Sequence, residues 1–304
     1  MIVDQHVHIG TFPALEGMEN LVRSDEEIAA WRTRYPDRYR KALFEEEGID
    51  NSDALLGDMD RHDITHALVM AYPGSVSNDM VADAVRRNPD RLKGMVRLGH
   101  DQQARGYLKD PSPYVPEAVR EIRRGVEDLG MVAVGEVFIR SLTCEVHPER
   151  VADDLDPILA ECERYGIPIQ FPTAWTQFAG GLAYGDVTWA DEVAGRHPDV
   201  KIVLTKMGRG IGRYFDTALT VAMRNTNVYL DTVSTISEHL RHAVDRIGAG
   251  RIMFGSDWAV SCLWLSEPIY RQRMRVIDGA GLSDTERQAV LSGTACEVFG
   301  WPNP

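Results

Sequence analysis

The chain contains no uninterrupted apolar run of about 18 residues, the length that a membrane-crossing helix requires. Its opening segment carries neither a basic leader nor a signal-like apolar run, so a cytoplasmic protein is the expectation. Cysteine is sparse: Cys144, Cys162, Cys262 and Cys296 are far apart and form no CxxC pair. That spacing argues for reduced thiols and against a zinc knuckle or a disulfide framework. Positive charge is also in deficit, with 33 Lys and Arg against 46 Asp and Glu and a net charge of -13. A broad surface for nucleic acid or anionic membrane is therefore excluded, although a local basic pocket is not. Low-complexity tails, interdomain linkers and sequence repeats are lacking too.

What remains is an ordinary globular composition, 44% hydrophobic over 304 residues. One domain spanning 1–304 is expected, since α/β barrels commonly need roughly 200 to 250 residues before insertions. Short apolar runs alternate with longer amphipathic ones. Strands are expected leading into residue 3 and at 67–71, 92–98, 131–139, 167–171, 201–205, 228–231 and 251–255. Helices are expected at 51–63, 77–88, 113–129, 152–165, 186–197, 210–225, 235–248 and 266–279. This βαβα rhythm describes a parallel sheet covered by helices.

Eight strands match a closed (β/α)8 barrel, with a doubly wound sheet as the competing arrangement. Chemically active residues at both extreme strands favour the barrel, because closure sets the first strand beside the eighth. Ser77 and Asn51 can cap helix starts, and Ser283-Asp284-Thr285-Glu286 has the pattern of a capping box before a final helical segment at 283–299. An insertion over about 10–50, with a helix at 24–35, reads as a cap on the barrel mouth. Its Leu21, Ile28 and Trp31 form an apolar stripe that could pack on the barrel or on a second copy, so a homodimer is expected.

Asp4-Gln5-His6-Val7-His8 opens the chain. In a continuous strand, His6 and His8 point to one side because side chains repeat every two residues, and two neutral imidazoles can then approach one cation. Polar packing at a strand end is the plainer use of the same residues. Asp257 follows the apolar run Ile252-Met253-Phe254 and would share the barrel mouth with both histidines. There it could bind a metal or take a proton from water; capping the next loop is its structural alternative.

These segments, together with Gly255-Ser256-Asp257-Trp258 and Leu291-Ser292-Gly293-Thr294-Ala295-Cys296-Glu297-Val298-Phe299-Gly300, resemble the amidohydrolase-related metal-dependent hydrolases. The resemblance is to the aminocarboxymuconate-semialdehyde decarboxylase-like branch and covers nearly the whole chain. It implies a distorted TIM barrel with a divalent metal, often zinc, at its C-terminal mouth, and either hydrolysis or non-oxidative decarboxylation of aromatic or unsaturated acids. It also implies metal-ligand roles for His6, His8 and Asp257. The pattern departs where the fifth and sixth strands of that family usually end in histidine, for here Pro172 and Lys206 stand, and Thr294 replaces a usual Asn.

Pro172 offers no ligand. Lys206 could pair with Asp257 or Glu136 in a metal-free centre, stabilise developing charge, polarise a carboxylate, activate a nucleophile when neutral, form a Schiff base with a carbonyl substrate, or form a structural salt bridge. Glu136, at the end of the fourth strand run, could complete a His6/His8/Glu136/Asp257 metal site. Arg140, Arg209 and Arg213 could clamp a substrate carboxylate, while Trp175, Phe178, Tyr184, Trp189, Trp258 and Trp264 could wall the pocket. The leading expectation is a metal-assisted hydrolase of a small carboxylated, lactone or amide substrate, with Asp257 and Lys206 catalytic. A decarboxylase and a metal-free ligand-binding or interaction barrel are the alternatives.

Overall fold

The computed structural model describes residues 1–10, 50–71, 76–98, 115–139, 142–143, 145–174, 181–258 and 268–302. Eight strands follow one another around a single parallel sheet in sequence order. They are β1 (Val3–Ile9), β2 (His66–Ala71), β3 (Leu92–Val96), β4 (Ala133–Val134), β5 (Ile169–Pro172), β6 (Ile202–Thr205), β7 (Val228–Asp231) and β8 (Ile252–Met253). The sheet closes on itself: Gln5 N–H donates to Phe254 O at 3.0 Å, Asp257 N–H to His6 O at 2.9 Å, and Val7 bridges Trp258 in parallel. The expected distorted (β/α)8 barrel is therefore the observed one, with a long insertion between β1 and the next described helix.

The helices between strands are α1 (Ser52–Arg61), α2 (Asn78–Arg87), α3 (Val115–Glu127), α4 (Pro148–Tyr165), α5 (Gly181–Gly185), α6 (Trp189–Arg196), α7 (Gly212–Arg224) and α8 (Ser237–Ile247). After β8 come α9 (Ile269–Gly279), α10 (Asp284–Gln288) and α11 (Thr294–Phe299), the last two joined by a π-helical turn. Helix α4 starts earlier than the periodicity predicts because Pro148 stands in its first turn, where a missing N–H costs nothing. Ser77 caps α2 by accepting from Met80 N–H at 3.3 Å, and Ser283 with Glu286 forms the full capping box of α10. Asn51 does precede α1, but its amide instead ties the end of β1, accepting from Gly10 N–H at 2.8 Å. No helix among the described residues is long and apolar enough to cross a membrane.

Alternation along the strands divides the core in two. Ala67, Val69 and Ala71 of β2 face the helices, whereas Leu68 and Met70 point into the barrel. Val3, Met95, Ala133, Val203, Tyr229 and Met253 join them inside, and Phe299 with Trp301 packs on the same cluster. Above this apolar layer the interior becomes polar: Gln5, Gln170 and Asp231 are fully buried and hydrogen-bonded in a row. The C-terminal mouth lies beyond that row. The expected helix at 24–35, the apolar stripe of the insertion, Cys144 and Cys262 fall outside the described residues.

Candidate metal centre

Every titratable side chain of the candidate centre sits at the C-terminal end of a strand, where an α/β barrel carries its chemistry. His6 and His8 come from β1, Glu136 lies two residues past β4, Lys206 directly follows β6, Asp231 ends β7, and Asp257 lies just past β8. All six are buried. The register of β1 shifts between Asp4 and Val7, but from His6 to His8 the alternation puts both side chains on one side, and the two imidazole rings meet edge-on with centroids 5.2 Å apart.

Asp257 joins the two rings: its Oδ1 is 3.5 Å from His6 Nε2 and 3.3 Å from His8 Nε2. Glu136 Oε1 lies 3.8 Å from His6 Nε2 on the other side and accepts from the Thr205 hydroxyl at 2.7 Å. The Lys206 ammonium reaches into the same space, 2.9 Å from Glu136 Oε1, 3.3 Å from Asp257 Oδ2 and 3.4 Å from His6 Nε2. Behind His6, Asp231 Oδ2 lies 3.2 Å from Nδ1, so a carboxylate orients the ring from the rear. The same aspartate accepts from Lys206 N–H at 2.6 Å, Val233 N–H at 3.0 Å and Gln5 Nε2 at 2.7 Å.

The backbone is strained where these groups meet. Ala174, Lys206, Ser234 and Asp257, each just past β5, β6, β7 or β8, all have positive φ. After β6 the run continues through Met207, Gly208, Arg209 and Gly210, a left-handed turn that L-residues adopt only at a cost on the order of 1–2 kcal/mol each. Gly208 is required there: a Cβ at its φ of 72° would meet Phe215 N at 2.3 Å. Its N–H is held by the Thr173 hydroxyl at 2.8 Å, which stitches the loops after β5 and β6 together. Gly255 serves close approach instead, because a Cβ would come within 3.0 Å of His6 Cβ.

Electrostatics divide the cluster into distinct protonation states. Burial and the Lys206 ammonium push His6 down, yet Glu136, Asp231 and Asp257 outweigh them and raise it to about 9. Burial dominates at His8, which falls to about 4 and is neutral at physiological pH. Burial works against the charged form of Glu136, but Lys206 and His6 hold it at about 2. Asp257 is likewise held well below the usual carboxylate range, by Lys206 and both histidines, against its own burial. On the far side of β1, burial lifts Asp4 to about 6 even though the Ser256 hydroxyl donates to it at 2.5 Å.

Donor atoms of His6, His8 and Glu136 lie within 4.8 Å of one another and could hold a metal ion. Tetrahedral zinc with bonds near 2.05 Å sets its ligands about 3.3 Å apart, and the Asp257 distances of 3.3 and 3.5 Å to the two imidazoles already match that edge. Two imidazole nitrogens and a carboxylate oxygen, with Asp257 close by, fit a divalent cation. Pro172, buried at the end of β5, contributes no ligand, and the Lys206 ammonium stands among the donor atoms as a competing charge.

The family model for amidohydrolases matches residues 3–301. The chain belongs to the amidohydrolase family. Among curated proteins none matches it significantly. Solved structures share its fold at low identity. An uncharacterised TIM-barrel protein from Bordetella bronchiseptica superposes at a TM-score of 0.69 with 18% identity, covering 99% of this chain and 98% of that one. A 2,6-dihydroxybenzoate decarboxylase from Rhizobium gives 0.62 and 17%, covering 98% of each chain. A probable 2-pyrone-4,6-dicarboxylic acid hydrolase from Acinetobacter baumannii, with citric acid bound, gives 0.58 and 15%, covering 98% and 99%.

The remaining expected site residues are dispersed. Arg209 is half-buried on the left-handed turn beside Lys206. Arg213 is largely exposed and pairs with Asp186 at 2.8 Å. Trp258 is buried in the outer core, its indole N–H donating to Asp58 Oδ2 at 2.9 Å, and Trp189 packs edge-on against Phe171. Arg140, Trp175, Phe178 and Trp264 fall outside the described residues. Sequence reasoning overlooked Asp231, although an acid closing the apolar run Val228–Leu230 carries the same signal as Asp257. It also overlooked Arg97, fully buried just past β3 with its guanidinium 5.2 Å over the Phe138 ring.

Proposed function

We propose that this amidohydrolase is a metal-assisted hydrolase of a small carboxylated, lactone or amide substrate. The observation that carries the reading is the buried cluster in which two imidazoles and two carboxylates converge at the barrel mouth. His6, His8 and Glu136 would hold one zinc ion, with Asp257 beside it. A divalent cation there acts as a Lewis acid and lowers the pKa of water toward neutrality. Asp257 is positioned to receive the proton of an attacking water. Lys206 presents its ammonium to negative charge developing on a carbonyl oxygen. Asp231 keeps His6 oriented through Nδ1.

Arg209, next to Lys206, is the proposed clamp for a substrate carboxylate, with Arg140 and Arg213 as further candidates from the sequence and Trp175 and Trp264 as candidates for an aromatic wall; Trp258, bonded to Asp58 in the outer core, is not among them. The structural neighbours include enzymes named for a dihydroxybenzoate and for a pyrone dicarboxylic acid. That likeness supports an unsaturated cyclic carboxylate as the substrate class, and it also supports decarboxylation as the second reading. The same proposal places the enzyme in the cytoplasm as a homodimer, which light scattering would check.

The test is a panel of lactones, amides and aromatic carboxylates, assayed with metal-loaded and chelator-stripped protein. Ester, lactone or amide cleavage that is lost on stripping supports the hydrolase. Release of carbon dioxide selects the decarboxylase instead. Binding without turnover of any member would overturn both in favour of a ligand-binding barrel.

A further inference from the structure

The Lys206 ammonium stands where an incoming cation would find its charge already neutralised. It is 2.9 Å from Glu136 Oε1, the oxygen that also faces His6 Nε2 at 3.8 Å, and 3.3 Å from Asp257 Oδ2. We infer that Lys206 is a displaceable internal cation, which competes with the metal for Glu136 and sets how tightly this centre holds it. The inference rests on the metal-assisted reading above.

Two independent features support competition over simple structural pairing. The first is the shared oxygen. Glu136 Oε1 already accepts from Thr205 Oγ1 at 2.7 Å and from Lys206, so a metal taking that oxygen must displace one of them. Thr205 is fixed at the end of β6 with its hydroxyl buried, whereas Lys206 has a long side chain with a second carboxylate partner in Asp257. Lys206 can give way by moving toward Asp257. The second is backbone strain. Lys206 has a φ of 70° and opens a left-handed turn that continues through Gly210, and its N–H is pinned by Asp231 at 2.6 Å. Strain of this kind persists where surrounding structure holds a group for a purpose, and here it aims an ammonium at the acid pair.

Charge then orders the states of the site. Without metal, the Lys206 ammonium pairs with both Glu136 and Asp257 and offsets part of their charge, so neither buried carboxylate is left without a partner. A metal held by Glu136 would leave Lys206 paired with Asp257 alone, as a cation available to an anionic substrate. The resident ammonium thus lowers metal affinity and readies a positive group for an anionic substrate in the same movement.

The experiment is calorimetric titration of chelator-stripped full-length protein with zinc or cobalt(II), comparing wild type with K206M, K206Q and K206R. The neutral variants should bind at least tenfold more tightly, about 1.4 kcal/mol, and K206R should gain nothing because it keeps the charge. K206Q retains hydrogen-bonding capacity toward the two acids and stands in for K206M should the latter fail to fold. Metal should raise the thermal midpoint of a neutral variant by more than it raises that of wild type. Equal affinities in wild type and neutral variants would overturn the inference while leaving the metal centre intact, as would a gain in K206R matching theirs. Failure of every protein to bind metal would overturn the inference and the metal-assisted reading together.

Discussion

Replacing Asp231 with alanine removes the acceptor for three donors and the carboxylate beside a fourth group in the buried interior of the barrel. Lys206 N–H at 2.6 Å, Val233 N–H at 3.0 Å and Gln5 Nε2 at 2.7 Å lose their hydrogen bonds, and His6 Nδ1 loses the carboxylate 3.2 Å away. Each buried donor left unsatisfied costs about 1–3 kcal/mol, so the two stranded backbone groups alone put D231A about 2–6 kcal/mol below wild type. D231N separates the contributions. Its amide oxygen can replace Oδ1 for the two backbone N–H groups, but its NH2 then faces the donating Gln5 Nε2. Turning Gln5 around would relieve that clash at the expense of the 2.6 Å bond from Gln170 Nε2 to Gln5 Oε1. The expected cost of D231N is thus about 1–2 kcal/mol, one or two net hydrogen bonds. Urea unfolding of metal-free protein, followed by far-UV circular dichroism, gives both values. A D231A variant within about 1 kcal/mol of wild type, or a D231N variant as damaged as D231A, would refute the reasoning. Metal affinity should fall about 10- to 100-fold in D231N, as when an orienting partner of a metal-binding histidine is lost.

Three further outcomes are expected. D257N should keep metal bound through His6, His8 and Glu136 while turnover falls at least about 100-fold, the loss expected for a general base; a metal-free D257N would instead make Asp257 an essential ligand. Metal uptake should displace a proton from His6, whose pKa of about 9 lies above its ordinary 6.5. The proton competes at any pH below that value, so affinity should climb as pH rises and level off only near 9, and titrations at successive pH values would reveal an earlier plateau if His6 were neutral. S283A removes the acceptor for Glu286 N–H in the capping box of α10 and should cost about 0.5–2 kcal/mol in urea unfolding, with turnover unchanged.

The barrel was legible because its strands are short apolar runs with turn or polar residues at each end. The expected run at 228–231 coincides with β7, and that at 201–205 overlaps β6 at 202–205. The site was legible where parity along a strand decides it, as for His6 and His8. Trp258, expected in the aromatic wall, lies in the outer core, where Asp58 accepts from its indole N–H; the positive φ of Asp257, four residues past β8, hides that direction from strand parity. Asp231 was passed over because an acid ending a strand resembles a loop-capping residue until the backbone N–H groups it serves are in view. The placement of Lys206 could not be read from residue types at all. A non-glycine, positive-φ start to the turn after β6 determines where its ammonium goes, and that conformation depends on Asp231, Thr173 and the close approach of Phe215 to Gly208.

X-ray absorption at the metal edge of cobalt- or zinc-loaded wild-type protein tests the central claim most directly. The account predicts one ion per chain, with two imidazole nitrogens and carboxylate oxygen at bond lengths of about 2.0–2.2 Å, and loss of one imidazole contribution in H8A. Failure to retain a stoichiometric ion, or an ion whose ligands are unchanged in H8A, would contradict it.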